Sequence, residues 1–200
     1  AFFFIDERGG HDDAPLPALR DIGRRLVASW RLAGTYDGVV RFLVGRFLYT
    51  DAINTLIGGF LTIFVIQELG LDGQFTTRLL GVAIAAAIVG AFAAGGLVER
   101  FGPIHVLRAV LLLWMVAIGA GIAAAVTGET GLAWAIGILG GMALGATWTA
   151  DRVVMTRVSP PRHLGEFYGL YATVGRFATI LGPLTWALIV DVIGLGRRVA

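Results

Sequence analysis

The chain has 200 residues, 56% of them hydrophobic and only 15% charged, with a mean hydropathy of +0.78. A soluble domain keeps about 25% charged residues to wet its surface, so an ordinary water-facing globule is excluded and lipid is the expected solvent. The net charge of +2 with no basic run among stacking aromatics excludes a nucleic-acid surface, and the lack of cysteine excludes thiol catalysis and cysteine metal sites.

The chain opens inside an apolar run, without an initiating Met, and ends abruptly at Ala200; it is read as a segment of a longer protein, with a missing N-terminal half as its expected partner. Residues 1–43 form a first region. Ala1–Ile5 reads as the last turn of a preceding span entering water at Asp6, Glu7 and Arg8, followed by a loop with Gly9-Gly10, Asp12-Asp13, Pro15 and Pro17. From Ala18 to Tyr36 the pattern is helical, with Leu19, Ile22, Leu26 and Trp30 on one side and Arg20, Arg24, Arg25 and Arg31 on the other. Two readings stand for this amphipathic piece: a helix lying on anionic lipid, or a solvated linker helix.

Residues 44–200 form the membrane region. Crossing about 30 Å of hydrocarbon takes about 20 helical residues, and the spans fall at roughly 44–68, 77–98, 104–126, 131–149 and 165–190. Gly70-Leu71-Asp72-Gly73, Arg100-Phe101-Gly102-Pro103 and Thr127-Gly128-Glu129-Thr130 supply turns between them. The segments are too long, and lack the alternation, for β-barrel strands. The fold class is therefore an all-α polytopic membrane bundle. Arg100, Arg108, Arg152, Arg157 and Arg162 fall on the side of the long linker, Arg78, Arg197 and Arg198 on the other, so the linker side is cytoplasmic. Five spans put the far end outside, and a sixth beyond Ala200 would return it.

The loop Gly95-Gly96-Leu97-Val98-Glu99-Arg100-Phe101-Gly102-Pro103 resembles the major facilitator signature Gly-x-Leu-x-Asp-Arg-x-Gly-Arg-Lys, with Glu99 for the acid and Pro103 and Ile104 for the two terminal basic residues. Arg46-Phe47-Leu48-Tyr49-Thr50-Asp51-Ala52-Ile53-Asn54-Thr55-Leu56 resembles the start of helix seven in one subgroup, the autophagy-linked vacuolar amino-acid effluxers and their bacterial relatives. Gly165-Glu166-Phe167-Tyr168-Gly169-Leu170-Tyr171, continuing to Gly182-Pro183, resembles that subgroup's helix eleven, where Phe is the recurring residue at the place of Tyr168. The resemblance covers residues 41 to about 190. It implies the second half of a twelve-helix bundle, alternating access, proton coupling and amino acids as the first solute to consider.

Several residues stand out without any family. Asp51, Asn54 and Thr55, spaced i, i+3, i+4, make one polar stripe on a helix, suited to an ammonium group, a proton or a cation. A carboxylate at that depth should face a cavity or a partner; the structural alternative is a pair with Arg46. Arg176, in the last span, suits a solute carboxylate or a carboxylate on another helix, including Asp51. Asp151 and Arg152 read as the end of the fourth span, and with Glu99, Arg100 and Glu166 they are expected to form a cytoplasmic gating network; ordinary solvated loop charges are the alternative. Ser159-Pro160 reads as a helix start, Gly182-Pro183 as a kink, and Trp114, Trp134, Trp148 and Trp186 as belt or packing residues. Gly141-x-x-x-Gly145 reads as a helix-contact motif. His11, His105 and His163 lack metal-ligand spacing, and no Gly-Lys-Ser/Thr phosphate loop occurs, so neither a metal, a cofactor nor enzyme chemistry is expected. The expected function is secondary transport of a small solute across the bacterial inner membrane. A non-transporting scaffold or sensor and a lipid-modifying membrane enzyme are the competing readings.

Overall fold

The computed structural model describes residues 19–56 and 61–188. The helices are α1 (Leu19–Ala33), α2 (Asp37–Thr55), α3 (Leu61–Gln67), α4 (Gly73–Phe101), α5 (Pro103–Thr127), α6 (Gly131–Val158) and α7 (Leu164–Ala187), with a 3-10 turn at Pro161–His163. No strand occurs among the described residues. α4, α5 and α6 have 29, 25 and 28 residues and are apolar enough to cross a membrane; at 1.5 Å per residue each reaches about 40 Å. The chain is an all-α polytopic membrane protein.

Local chemistry sets the boundaries. Asp72 caps α4, its carboxylate accepting the Phe75 N–H at 2.7 Å, so the helix starts at Gly73, a turn before the apolar run. The α4–α5 hairpin turns at Gly102, whose φ of +82° lies where a side chain would be strained, and Pro103 opens α5 with φ preset for helix. Gly128 closes α5 in the left-handed conformation, its N–H reaching the Ala124 carbonyl.

Two boundaries differ from the reading of the sequence. α6 does not stop near Thr149 but runs on to Val158, so Asp151 and Arg152 lie inside a helix rather than at its end. The charge does not end the helix because Asp151 is neutralised inside the bundle, as described below. Ser159 caps the C-terminus of α6, donating its N–H to the Met155 carbonyl at 3.1 Å, rather than starting the next helix. Pro161 instead opens the 3-10 turn that leads into α7. In the region read as a first span, α2 begins at Asp37, well before residue 44, and residues 57–60, between α2 and α3, lie outside the described residues. α7 is helical through Gly182 and Pro183; the side chains of these two and of Trp186, like the stretches 1–18 and 189–200, lie outside the described residues.

α6 is the centre of the packing. Glycines on it let α4 approach backbone to backbone: a Cβ on Gly141 or Gly145 would overlap the carbonyl of Ala83 or Ala87, and one on Gly90 of α4 would overlap Met142. In lipid, close approach of this kind replaces the hydrophobic drive that water would supply. α5 packs on another side of α6 through Trp114, which is 5% exposed; its indole N–H donates to the Thr147 hydroxyl at 3.0 Å, and that hydroxyl donates to the Ala143 carbonyl. A second group of buried side chains joins Ala33 of α1, Val39 and Leu43 of α2, Met155 of α6, and Phe167 and Leu170 of α7.

The helix ends gather accordingly. A Cβ on Gly102 would lie 3.6 Å from Nη1 of Arg157, and one on Gly38 would lie 3.9 Å from Val158. The start of α2, the α4–α5 hairpin and the end of α6 therefore share one end of the bundle, and this is where Arg100 and Arg157 sit. At the other end, the rings of Phe75 and Trp134 meet at a 59° tilt with centroids 5.0 Å apart.

Candidate functional site

The most concentrated polar chemistry inside the bundle surrounds Asp151, which is 1% exposed. Its Oδ2 takes the Nη1 of Arg46 in an ion pair and the hydroxyl of Tyr171 at 2.7 Å, while its Oδ1 takes the hydroxyl of Tyr49. Three donors thus meet an acceptor-only carboxylate. Arg46 is also held by the ring of Tyr171, whose centroid lies 3.6 Å from its Cζ.

Helical spacing assembles this group. Arg46 and Tyr49 are one turn apart on α2, and Tyr171 and Gly175 one turn apart on α7. Gly175 leaves the shelf on which the guanidinium rests, since a Cβ there would come within 2.9 Å of Arg46 Nη2. Beside the cluster, the Tyr168 hydroxyl reaches the Arg152 carbonyl at 3.0 Å and the Thr156 hydroxyl at 2.7 Å, fastening α7 to α6. Counting helical rise, Asp151 and Tyr171 lie about 10 Å, and Arg46 about 14 Å, along their helices from the arginine-rich end. The side chains of Arg46 and Asp151 are only 12% and 2% exposed, so both charges are held inside the bundle. Chemically the cluster is a clamp, joining α2, α6 and α7 through one carboxylate.

The residues singled out in the sequence are distributed differently. Asp51 and Asn54 are half-buried on α2. Asp51 Oδ1 is shielded from solvent and has no hydrogen-bond partner among the described residues, and Arg46 pairs with Asp151, not with Asp51. The side chain of Thr55 lies outside the described residues. Arg176 is exposed on α7, and no ion pair joins it to Asp51 among the described residues. Of the residues grouped as a cytoplasmic network, Asp151 is buried in the cluster, whereas Glu99, Arg100, Arg152 and Glu166 are exposed. Arg100 lies over the Phe101 ring at 5.3 Å, and Glu166 stands 3.8 Å from His163. Among the described residues, these five side chains do not form one hydrogen-bonded set. In the sequence Arg46 stands out only as an alternative partner for Asp51, and Tyr49 and Tyr171 only within the motifs that carry the resemblance; the signal for the cluster is an arginine inside a helical apolar run, which requires an acid somewhere in the bundle.

Two further features limit the chemistry. No group of three His, Asp or Glu side chains placed to hold a metal occurs among the described residues. A cavity of about 900 Å³ among α3, α4, α5 and α6 is lined chiefly by apolar side chains such as Phe64, Leu80, Ile84, Ile118 and Ile122, with Thr149 and Arg152 also in its wall. It offers hydrocarbon contact rather than recognition of a polar solute.

Comparison with known proteins agrees with this architecture. The chain is 27% identical over 172 residues to the uncharacterized MFS-type transporter YxiO of Bacillus subtilis, a match covering 86% of this chain and 39% of the relative. It is 26% identical over 161 residues to autophagy-related protein 22 of Candida glabrata, covering 76% of this chain and 30% of that one. The chain thus spans well under half the length of these relatives. No solved structure matches it significantly. Residues 2–198 match the family described as vacuole effluxer Atg22 like; with that match running nearly end to end over a helical membrane bundle, the chain belongs to the Atg22-like family of major facilitator transporters.

Proposed function

We propose that this chain forms the second half of a secondary active transporter that moves a small solute across the membrane by alternating access, with proton coupling and with amino acids as the first solute class. The remainder of the full-length protein would supply the facing half, and the bacterial inner membrane would be the site of action. Family membership supports the class: one relative bears the name of an MFS-type transporter and the family that of an effluxer.

The geometric observation that carries the reading is the buried Arg46–Asp151 pair with its two tyrosines. A charge far from water in a membrane bundle is costly and is kept where a pathway or a moving interface needs it. One carboxylate that binds three helices can be broken and remade as those helices tilt, which is what rocking of half-bundles about a central site requires. In this reading Asp51 is the protonatable group, supported by its shielded Oδ1, which has no partner among the described residues. Asn54, Thr55 and Arg176 are solute contacts, and Glu99, Arg100, Arg152 and Glu166 are interfacial charges that trade partners between states.

The test is uptake of a labelled amino-acid pool by proteoliposomes holding the full-length protein, with and without a pH gradient, beside Asp51→Asn. Gradient-driven uptake lost in the variant supports coupling through Asp51. Uptake that survives the variant moves the proton site elsewhere. No uptake under any gradient removes amino acids and favours a non-transporting scaffold.

A further inference from the structure

Among the described side chains of α1, only part of the apolar face is fastened to the bundle. Ala33 is fully buried, and Leu32 and Tyr36 pack with Val39, Leu43 and Phe167, the Tyr36 ring meeting that of Phe167 edge-on at 5.7 Å. Beyond this seam lie Leu26, Val27 and Trp30, which are 37%, 53% and 44% exposed. Leu26 and Trp30 are one turn apart on the same strip, with Val27 at its edge. Arg24 and Arg31, both exposed, stand three residues before and four after Val27, so they border the strip directly. Over its length α1 carries Arg20, Arg24, Arg25 and Arg31 against one acid, Asp21.

The position of α1 in the molecule gives this face a setting. α1 turns through Gly34 and Thr35 straight into the start of α2, at the end of the bundle where Arg100 and Arg157 collect. That arginine-rich end is the one the positive-inside rule assigns to the cytoplasmic leaflet, whose surface is anionic. A solvated helix would leave three large apolar side chains in water beside a row of cations. A headgroup layer suits this face, with hydrocarbon for the strip, phosphate beside the exposed positive charge, and an amphipathic boundary for the indole.

We propose that α1 lies in the headgroup layer of the cytoplasmic leaflet as a docking surface for anionic phospholipid. Leu26, Val27 and Trp30 enter the acyl boundary, and Arg24 and Arg31 engage lipid phosphates. Because α1 leans on Phe167, one turn before Tyr171 on α7, leaflet charge is linked mechanically to the helix that holds the Asp151 cluster. The proposal rests on membrane embedding and orientation and not on any solute, so it stands or falls separately from the transport reading.

The test uses the full-length protein, cleared of any other cysteine, with Val27→Cys carrying a fluorophore. It is reconstituted in phosphatidylcholine vesicles with or without phosphatidylglycerol, and quenching by brominated lipid is compared with quenching by aqueous iodide. Ala28→Cys, exposed on the polar side of α1, is the control. Expected are several-fold stronger lipid quenching at position 27 when phosphatidylglycerol is present, weakened by salt, and continued iodide access at position 28. Arg24→Gln and Arg31→Gln should each cut the dependence on anionic lipid by roughly fivefold. Equal iodide quenching of position 27 in both lipids would make α1 a solvated linker and overturn the proposal. Shielding from both quenchers would mean that protein covers the strip, and equal lipid quenching in both compositions would remove the anionic requirement; either result also overturns it.

Discussion

Neutralising Asp151 should loosen the bundle more than any other isosteric change in the chain. In Asp151→Asn the side chain keeps its shape, and one oxygen can still accept the Tyr49 hydroxyl, but Arg46 loses its counter-charge while remaining only 12% exposed. Removing one partner of a buried pair costs ~3–5 kcal/mol in soluble interiors, whereas polar contacts in membrane bundles average about 0.6 kcal/mol. Burial of both charges places this case near the first range, and the Tyr171 ring beneath the guanidinium moderates it, so ~3 kcal/mol is expected. Arg46→Met leaves a carboxylate that two hydroxyls still satisfy, and should cost less, ~2 kcal/mol. The double variant should recover ~2 kcal/mol relative to the sum, because the second change removes the group stranded by the first. The assay is unfolding of the full-length protein by SDS titration in bicelles, run as a double-mutant cycle. Additivity within ~0.5 kcal/mol would mean the two side chains do not interact and would refute the reasoning.

Other consequences are smaller and equally direct. Gly145→Ala should destabilise by ~1–3 kcal/mol, since its Cβ would overlap the Ala87 carbonyl; Gly140→Ala, whose Cβ would sit 3.7 Å from Trp114, should be tolerated in the same titration. Thr147→Val removes the acceptor of the buried Trp114 N–H and should cost ~1 kcal/mol, accompanied by a shift in tryptophan emission. Tyr171→Phe keeps the ring under Arg46 but loses the 2.7 Å bond to Asp151; it should cost ~1 kcal/mol, clearly less than Asp151→Asn.

Much of the fold is written in local patterns. α4 and α5 follow from apolar runs long enough to span lipid, and their ends from Asp72, Gly102-Pro103 and Gly128, each of which acts through its own backbone and nearest neighbours. Gly141 and Gly145 could be read as a contact motif because glycine spacing on one helix face does not depend on the partner. The C-terminal end of α6 is not legible in the sequence for the opposite reason. Polar residues at 151 and 152 look like an exit into water unless the partner that neutralises Asp151 is known. Ser159-Pro160 suits either side of a helix boundary, and only the extent of α6 shows that it closes one helix rather than opening another.

The site shows the same division more sharply. Sequence by itself determined that charges lie inside an apolar bundle, that Asp51 and Asn54 share a helix face, and that arginine gathers at one end, since these depend on composition and on 3.6-residue periodicity. The tertiary structure alone decided which charge meets which. Arg46 bypasses Asp51, five residues away on its own helix, and reaches Asp151 across 105 positions of sequence. A helix points residues five apart toward different faces, while packing α2 and α7 beside α6 brings Arg46, Tyr49, Tyr171 and Asp151 into contact, where the buried carboxylate gains its counter-charge.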